Sequence, residues 1–159
     1  MIVKKHELLQ LWKLFEVWGS GKLKIKFSYF IAKNKSKIKD EVEILNKLAM
    51  PPEKFQLYDQ RRAALAQEFS DKDENGNPVI RNQNYVITER REEFEKVINH
   101  LREENKEVIS EVEKQRLDYE EILKQDFEFN GHKIKLEDLP DEIEPQVIEL
   151  LMRTDLLAE

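Results

Sequence analysis

The chain has no cysteine, only four glycines, and no apolar run long enough to cross a membrane. Without cysteine it has no disulfide, no thiolate nucleophile and no thiolate metal site, which fits a reducing compartment such as a cytoplasm. A membrane span needs roughly 20 consecutive apolar residues, whereas Gln10, Lys13 and Glu16 interrupt the apolar N-terminal stretch. We therefore expect neither a signal peptide nor a membrane partner.

Catalytic motifs are also missing. The sequence has no Gly-rich phosphate loop, no Gly-x-Ser-x-Gly elbow and no His-Glu-x-x-His pair. Its three histidines fall in separate predicted elements, so none shares a helix face with another as metal ligands would. We predict a protein that is not an enzyme and that uses no cofactor.

Charge is present in excess and is unevenly distributed. Charged residues make up 38% of the 159 residues, and the formal net charge is −6. Residues 1–50 hold 11 Lys+Arg and 5 Asp+Glu, whereas residues 51–159 hold 16 and 28. The formal charges of the two parts are therefore +6 and −12. The length suits a single domain, divided by composition into a basic helix-strand-helix part (1–50), a helical hairpin part (51–125) and a β-hairpin with a C-terminal helix (126–159).

The predicted fold is mainly α (α+β), with a long coiled-coil-like helix, shorter packed helices and small strands. Apolar residues at helical spacing predict helices over 5–18, 36–49, 52–70 and from about Asp141, where Glu144 would complete a capping box. Residues 22–31 instead alternate between apolar side chains and lysine or serine, which predicts a strand. Asn130-Gly131 predicts the turn of a hairpin over 127–136.

The longest predicted helix runs from Thr88 to about Gln125. Its seam follows the alternating spacing of three and four that is typical of a coiled coil or helical hairpin. The seam residues are Phe94, Ile98, Leu101, Asn105, Val108, Val112, Gln115, Tyr119 and Ile122. So long an apolar stripe needs cover, either from residues 52–70 or from a second copy of the chain. We therefore expect a homo-oligomer.

The densest charge cluster lies in residues 22–39, which contain seven lysines and no acidic residue. Such a surface could bind the phosphates of nucleic acid or of a nucleotide messenger. Alternatively, the lysines protect an edge strand from aggregation or face the chain's own acidic half. The anion-binding candidates are Lys22, Lys24, Lys26, Lys33, Lys35, Lys37 and Lys39.

A weaker candidate is the acidic segment that starts at Asp71. Asp71, Asp73 and Asn75, followed by Gly76, match the first half of a calcium-binding loop. The second half does not match, because Asn82 occupies the place of the bidentate glutamate. We interpret the segment mainly as an acidic turn, with no metal.

Three segments in a characteristic order are KNK at 33–35, YDQRR at 58–62 and KDENGNP at 72–78, followed by a long charged helix. This order resembles small uncharacterised proteins of tailed bacteriophages and prophages of low-GC hosts. The resemblance implies a viral protein made in the host bacterial cytoplasm, and it carries no activity.

Together, these features predict a non-enzymatic phage accessory protein that oligomerises through helices and binds a host or phage protein partner. The alternative is an anion binder that uses residues 22–39 to sequester nucleic acid or a nucleotide messenger in counter-defence.

Overall fold

The structure, a computed structural model, describes residues 1–19 and 24–158. Among these residues the fold is mainly α with small β elements, as predicted. In chain order the elements are β1 (Ile2–Lys4), α1 (Lys5–Trp18), α2 (Ile25–Ala49), α3 (Glu53–Phe69), β2 (Ile80–Arg81), β3 (Asn84–Tyr85), α4 (Arg91–Glu104), α5 (Lys106–Leu123), β4 (Asp126–Glu128), β5 (Ile134–Lys135), a 3-10 turn (Leu136–Asp138), α6 (Pro145–Arg153) and β6 (Leu157–Ala158).

The chain divides into two compact units. Unit 1 consists of Met1–Ala49 and Leu117–Glu159, and unit 2 consists of Met50–Arg116. Unit 1 is therefore assembled from two segments that are far apart in sequence, whereas unit 2 is one continuous segment.

Helix α1 covers the predicted range and supplies one wall of the core of unit 1. Leu8, Leu11 and Phe15 are buried at helical spacing. At the start of the helix the Lys4 amide donates to Glu7 Oε2 (2.8 Å), and at its end the Gly19 amide donates to the Phe15 carbonyl (2.9 Å). Both ends thus form hydrogen bonds within the chain itself.

Helix α2 starts at Ile25, so the predicted strand over 22–31 is wrong where the structure describes it; Lys22 and Leu23 lie outside the described residues. Phe27 and Ile31 fit both an alternating pattern and one helix face, because they are four residues apart. Phe30 decides between the two patterns. It is buried beside Phe27 and packs edge-on against Phe15 at 5.9 Å, which only the helical period allows.

The core of unit 1 joins α1 and α2 to the C-terminal segment. Fifteen buried apolar residues form this core. They are Val3, Leu8, Leu11, Phe15, Phe27, Phe30, Ile31, Ile38, Val42, Phe129, Ile134, Leu139, Val147, Leu151 and Leu156. This cluster fixes the positions of α1, α2 and α6 within the unit.

The strands of unit 1 pair over long sequence separations. β4 pairs antiparallel with β1, and β5 pairs parallel with β6. The predicted hairpin over 127–136 is therefore wrong, because β4 and β5 pair with other strands. The side chain of Asn34 in α2 also binds both backbone polar groups of His132, at 2.8 Å each. These bonds take the place of hairpin pairing at that residue.

Helix α6 begins at Pro145, about one turn later than predicted. Glu144 is its N-cap residue and makes no side-chain capping bond, so the predicted capping box does not form. Proline suits this first position because its missing amide would have had no helical partner.

Unit 2 contains a helical hairpin in which α3 packs against α4. Its core cluster consists of Tyr58, Ile98 and Leu101. Tyr58, within residues 52–70, thus packs against the seam residues Ile98 and Leu101. Between the helices, β2 and β3 form a short hairpin whose turn residues Asn82 and Gln83 both have positive φ.

The predicted continuous helix over 88–125 is wrong, because the chain leaves the helical conformation at Asn105. The Asn105 side-chain amide donates to the Leu101 carbonyl at 2.8 Å and satisfies an acceptor at the end of α4. Asparagine competes with helical backbone bonds in this way. The coiled coil stays a prediction.

Candidate functional site

A large apolar concavity in unit 1 is a groove between α1 and α6, which we call the α1–α6 groove. Leu14, Val17 and Trp18 line it from α1, and Val147 and Leu150 line it from α6. It encloses about 540 Å³, within the range of known ligand pockets. Val17 is 67% exposed, so the groove presents apolar surface to solvent.

A set of polar contacts holds the two walls of the groove together. Arg153 in α6 donates through Nε to Glu7 Oε1 at 2.7 Å and through Nη2 to Gln10 Oε1 at 2.9 Å. Glu7 is buried and also accepts the Lys4 amide. A buried carboxylate with both a charged and a backbone donor is a well-satisfied group, so α6 is fixed against α1.

The rim of the groove carries opposite charges on its two sides. Lys13 lines the α1 side, and Glu144 and Glu149 line the α6 side. All three are exposed. None of them forms a salt bridge with the residues that the structure describes, so these charges face solvent.

The lysines at the start of the predicted anion site are paired within unit 1. Lys24 Nζ donates to Asp141 Oδ1 at 2.8 Å and to the Leu139 carbonyl at 2.9 Å. Lys26 Nζ donates to Asp138 Oδ1 at 2.8 Å. Hydrogen bonding to Asp138 raises the pKa of Lys26, and hydrogen bonding to the Lys24 ammonium lowers the pKa of Asp141. The chain's own acidic residues therefore occupy these two cations.

Two further lysines also contact carboxylates. Lys35 lies 3.7 Å from Glu16 and above the Trp12 ring at 4.6 Å, and Lys39 lies 3.6 Å from Glu43. Exposed pairs of this kind contribute about 0–1 kcal/mol. They nevertheless reduce the positive field that an anion would meet.

Lys33 and Lys37 differ from the other lysines. Neither forms a salt bridge within the described ranges. Lys33 Nζ lies over the Tyr29 ring, 5.4 Å from its centroid, and Lys37 donates to the Asn130 carbonyl. Because α2 is a helix, its candidate lysines lie on two sides, with Lys26, Lys33 and Lys37 at helical spacing on one side and Lys35 and Lys39 on the other.

The acidic segment at Asp71 forms hydrogen-bonded turns. Asp73 Oδ1 accepts the amides of Asn75 (2.9 Å) and Asn77 (2.8 Å), and Gly76 has φ +79°. Asp71 Oδ1 accepts the amide of Thr88 at 2.9 Å. The contacts of Thr88, led by its side chain, lower the pKa of Asp71, and the Asn77 amide leads the contacts that lower the pKa of Asp73.

The remaining seam residues are less covered than Ile98 and Leu101. No residue of α5 in the described chain is buried. The half-buried seam positions are Phe94, Asn105, Val108, Val112, Gln115, Tyr119 and Ile122. In unit 2, the Gln115 amide donates to the Met50 carbonyl at 3.0 Å, and Ile109 packs on the Tyr58 cluster. The part of α5 that belongs to unit 2 is thus partly covered by other residues of unit 2.

Sequence reasoning missed the α6 side of the groove. Glu7 and Arg153 are 146 residues apart, and nothing in the spacing of either indicates the other. The one available signal is the wide apolar face of α1, which includes Leu14 and Val17, because so wide a face needs cover from more than one side.

Neither a membrane-spanning helix nor a metal-binding group is present among residues 1–19 and 24–158. No helix there is both long and apolar enough to cross a membrane. No group of three or more His, Asp or Glu side chains there is arranged to hold a metal ion.

Comparisons of the chain with protein-family models, curated proteins and solved structures gave no match. The binding sites proposed below are therefore argued from the geometry of these surfaces, and the phage context from the sequence resemblance alone.

Proposed function

We propose that this chain is a non-enzymatic phage accessory protein that binds a host or phage protein through the α1–α6 groove. The main observation in support of this proposal is the open apolar groove, in which Val17 is 67% exposed beside the half-buried Trp18 and Leu150. Exposed apolar concavities of this kind are typical of recognition sites, and Trp is frequent among the residues that dominate binding energy.

The occupant we propose is an amphipathic helix of the partner. A groove between two helices, with an apolar floor and charged rims, suits a helix that lays its apolar face on the floor. Glu144 and Glu149 on one rim favour basic side chains on that flank of the partner helix. Lys13 on the other rim favours an acidic side chain. This charge pattern sets the orientation and the association rate more than the affinity.

Affinity capture from phage-infected bacteria tests the groove with a matched pair of variants. Val17→Glu places a charge on the floor, while Ile44→Glu makes the same change at a residue of α2 that is 50% exposed and outside the groove. We expect Val17→Glu to reduce capture of the partner at least about tenfold, and Ile44→Glu to leave it within about twofold. Crosslinks from the partner must map to an amphipathic helix with a basic flank. Equal capture by both variants, or crosslinks to an extended or wholly acidic segment, would overturn the proposal.

Self-association through α5 is a separate part of the proposal. It is supported by the absence of buried residues in the described α5 and by the half-buried Val108 and Val112. Light scattering over a range of concentrations tests it. We expect Val112→Glu to lower the measured mass relative to the wild type, and the exposed Glu113→Gln in the same turn to leave it unchanged. A wild type that stays monomeric at all concentrations contradicts this part.

Leu101 is also a seam residue, but the substitution Leu101→Glu would not test self-association. Leu101 is 2% exposed in the hairpin core, so a charge there would destabilise unit 2 itself.

A further inference from the structure

A second concave surface of unit 1 lies between α2 and β5, away from the α1–α6 groove. We call it the α2–β5 groove. It encloses about 440 Å³ and is lined by Ile25, Lys26, Tyr29, His132, Lys133 and Lys135, among others. Residues 132–135 did not enter the predicted lysine surface, because they are about 100 residues away in sequence.

Exposed aromatic and apolar side chains line part of the α2–β5 groove. Ile25 is 88% exposed and Tyr29 is 52% exposed, although both lie on the helix that supplies Phe27 and Phe30 to the core. The His132 ring meets the Tyr29 ring edge-on, with 5.3 Å between centroids. Because the two rings are perpendicular, with 88° between their planes, a planar ligand can stack on the face of one ring while the other ring bounds it at the side. We call this pair of rings the Tyr29–His132 platform.

Three lysines line the groove, and two more lie beside it on α2. Lys33 and Lys37 follow Tyr29 along α2 by four and eight residues, or about 6 and 12 Å at the rise of an α-helix. Neither has a salt bridge in the described part of unit 1, and Lys33 lies over the Tyr29 ring. Lys26, Lys133 and Lys135 add charge, although each contacts a carboxylate, of Asp138, Asp155 and Glu137 respectively. Five lysines against three carboxylates make this surface positive in a chain of net charge −6.

A buried amide fixes the two sides of the groove relative to each other. Asn34, one residue after Lys33, is completely buried and forms two hydrogen bonds of 2.8 Å with the backbone of His132. Its Nδ2 also donates to the Phe30 carbonyl at 3.0 Å. The backbone of His132 is therefore held against α2 before any ligand binds, which reduces the entropy lost on binding.

We propose that the α2–β5 groove binds a nucleobase together with its phosphate, as single-stranded nucleic acid or a free nucleotide presents them. The base would stack on the Tyr29–His132 platform, and Lys33 and Lys37 would contact phosphate oxygens. Aromatic stacking with lysine contacts to the backbone tolerates any base sequence, and the described lining residues include no arginine to read base edges. This site shares no lining residue with the α1–α6 groove, so the two proposals can be tested independently.

Fluorescence anisotropy with a labelled oligothymidine of about 12 nucleotides tests the proposal. Measurements between about 50 and 200 mM salt give the slope of log affinity against log salt. We expect Lys33→Gln to lower the magnitude of that slope by about 0.7, the value for one phosphate contact on a single strand. Lys47→Gln, on the same helix and about 15 Å beyond Lys37, is the matched control and should leave the slope unchanged.

Tyr29→Ala separates stacking from charge. We expect it to weaken binding at least about fivefold with the salt slope unchanged, and Tyr29→Phe to retain wild-type affinity. Circular dichroism of each variant confirms that α2 is intact. Competition by AMP and UMP distinguishes the two sources of the ligand: displacement at micromolar nucleotide indicates a nucleotide site, and displacement only by oligonucleotide indicates a strand site.

Three results would overturn the proposal. The first is no binding of oligonucleotide or nucleotide at low salt. The second is an equal effect of Lys33→Gln and Lys47→Gln. The third is competition by polyglutamate as strong as by oligothymidine, together with indifference to Tyr29→Ala, because that would identify a general polyanion surface with no base stacking.

Discussion

The two units bury apolar residues on different scales. The cluster in unit 1 contains fifteen buried hydrophobic residues, drawn from both of its segments, whereas the cluster in unit 2 contains three. Unit 2 relies more on local features, such as the α3–α4 hairpin, the Asp71 and Asp73 turns, and the Arg90 side chain over the Phe69 ring at 4.1 Å. Both proposed grooves lie on unit 1, so the larger core supports the surfaces that need fixed geometry.

The largest expected effect is the loss of a core side chain from unit 1. Leu11 is completely buried, and Leu11→Ala should reduce the free energy of unfolding by about 3–5 kcal/mol, since dense neighbours leave a cavity. Denaturant unfolding followed by Trp fluorescence measures this, because both tryptophans, Trp12 and Trp18, lie in α1. A loss below about 1 kcal/mol would contradict the picture of a densely packed core.

The same substitution in unit 2 should cost less. Leu101→Ala removes one of only three clustered core residues, and we expect a loss of about 2–3 kcal/mol, because a small core relaxes into the space more readily. Hydrogen exchange of the α3 and α4 amides measures it. If Leu101→Ala proves more destabilising than Leu11→Ala, the contrast between the units is wrong.

A somewhat smaller loss should follow from removing the buried amide of unit 1. Asn34→Ala leaves the amide and carbonyl of His132 without their partners, and should reduce stability by about 2 kcal/mol. It should also loosen the Tyr29–His132 contact, which aromatic NMR shifts report. Lys47→Ala, an exposed change on the same helix, is the control and should leave both quantities nearly unchanged. Equal stability of the two variants would show that the Asn34 bonds do not hold His132 in place.

The smallest expected effect concerns the turn of unit 2 and depends on pH. Because contacts with Thr88 lower the pKa of Asp71 in the folded state, its stabilisation is complete above the unfolded value of about 3.9. It is lost as pH falls through the lower folded pKa. Asp71→Asn should therefore speed exchange of the Thr88 amide at neutral pH and differ less from wild type in acid. A difference that grows on acidification would contradict this sign.

Part of this fold could be predicted from local pattern alone. Helices α1 and α3 have apolar residues at helical spacing and clear boundaries, Gly19 after α1 and Pro51 and Pro52 before α3. The start of α2 could not be predicted in this way. Its lysines alternate with apolar residues, as in a strand, over a stretch so short that Phe27 and Ile31 also fit one face of a helix. The outcome depended on whether Phe30 was buried, and that is decided by Phe15 on another helix.

The candidate sites depended even more on distant residues. The seven lysines form a charge cluster in the sequence, but Asp138 and Asp141, more than 100 residues away, pair with two of them. At the α1–α6 groove Glu7 of α1 contacts Arg153 of α6, and beside the α2–β5 groove Asn34 binds the backbone of His132. Such pairs have no signature in a single sequence, since each partner looks like an ordinary polar residue of a helix or loop.

The pairing of β1 with β4 also constrains the order of events during synthesis. The continuous segment of unit 2 emerges from the ribosome before residues 126–128, which pair with residues 2–4. The contacts of the α3–α4 hairpin join residues about 40 positions apart, such as Tyr58 and Ile98, and contacts of shorter sequence separation form faster. The apolar face of α1, in contrast, must wait for Phe129, Leu151 and Leu156 before its core is closed. A nascent chain halted before these residues would expose that face to chaperones.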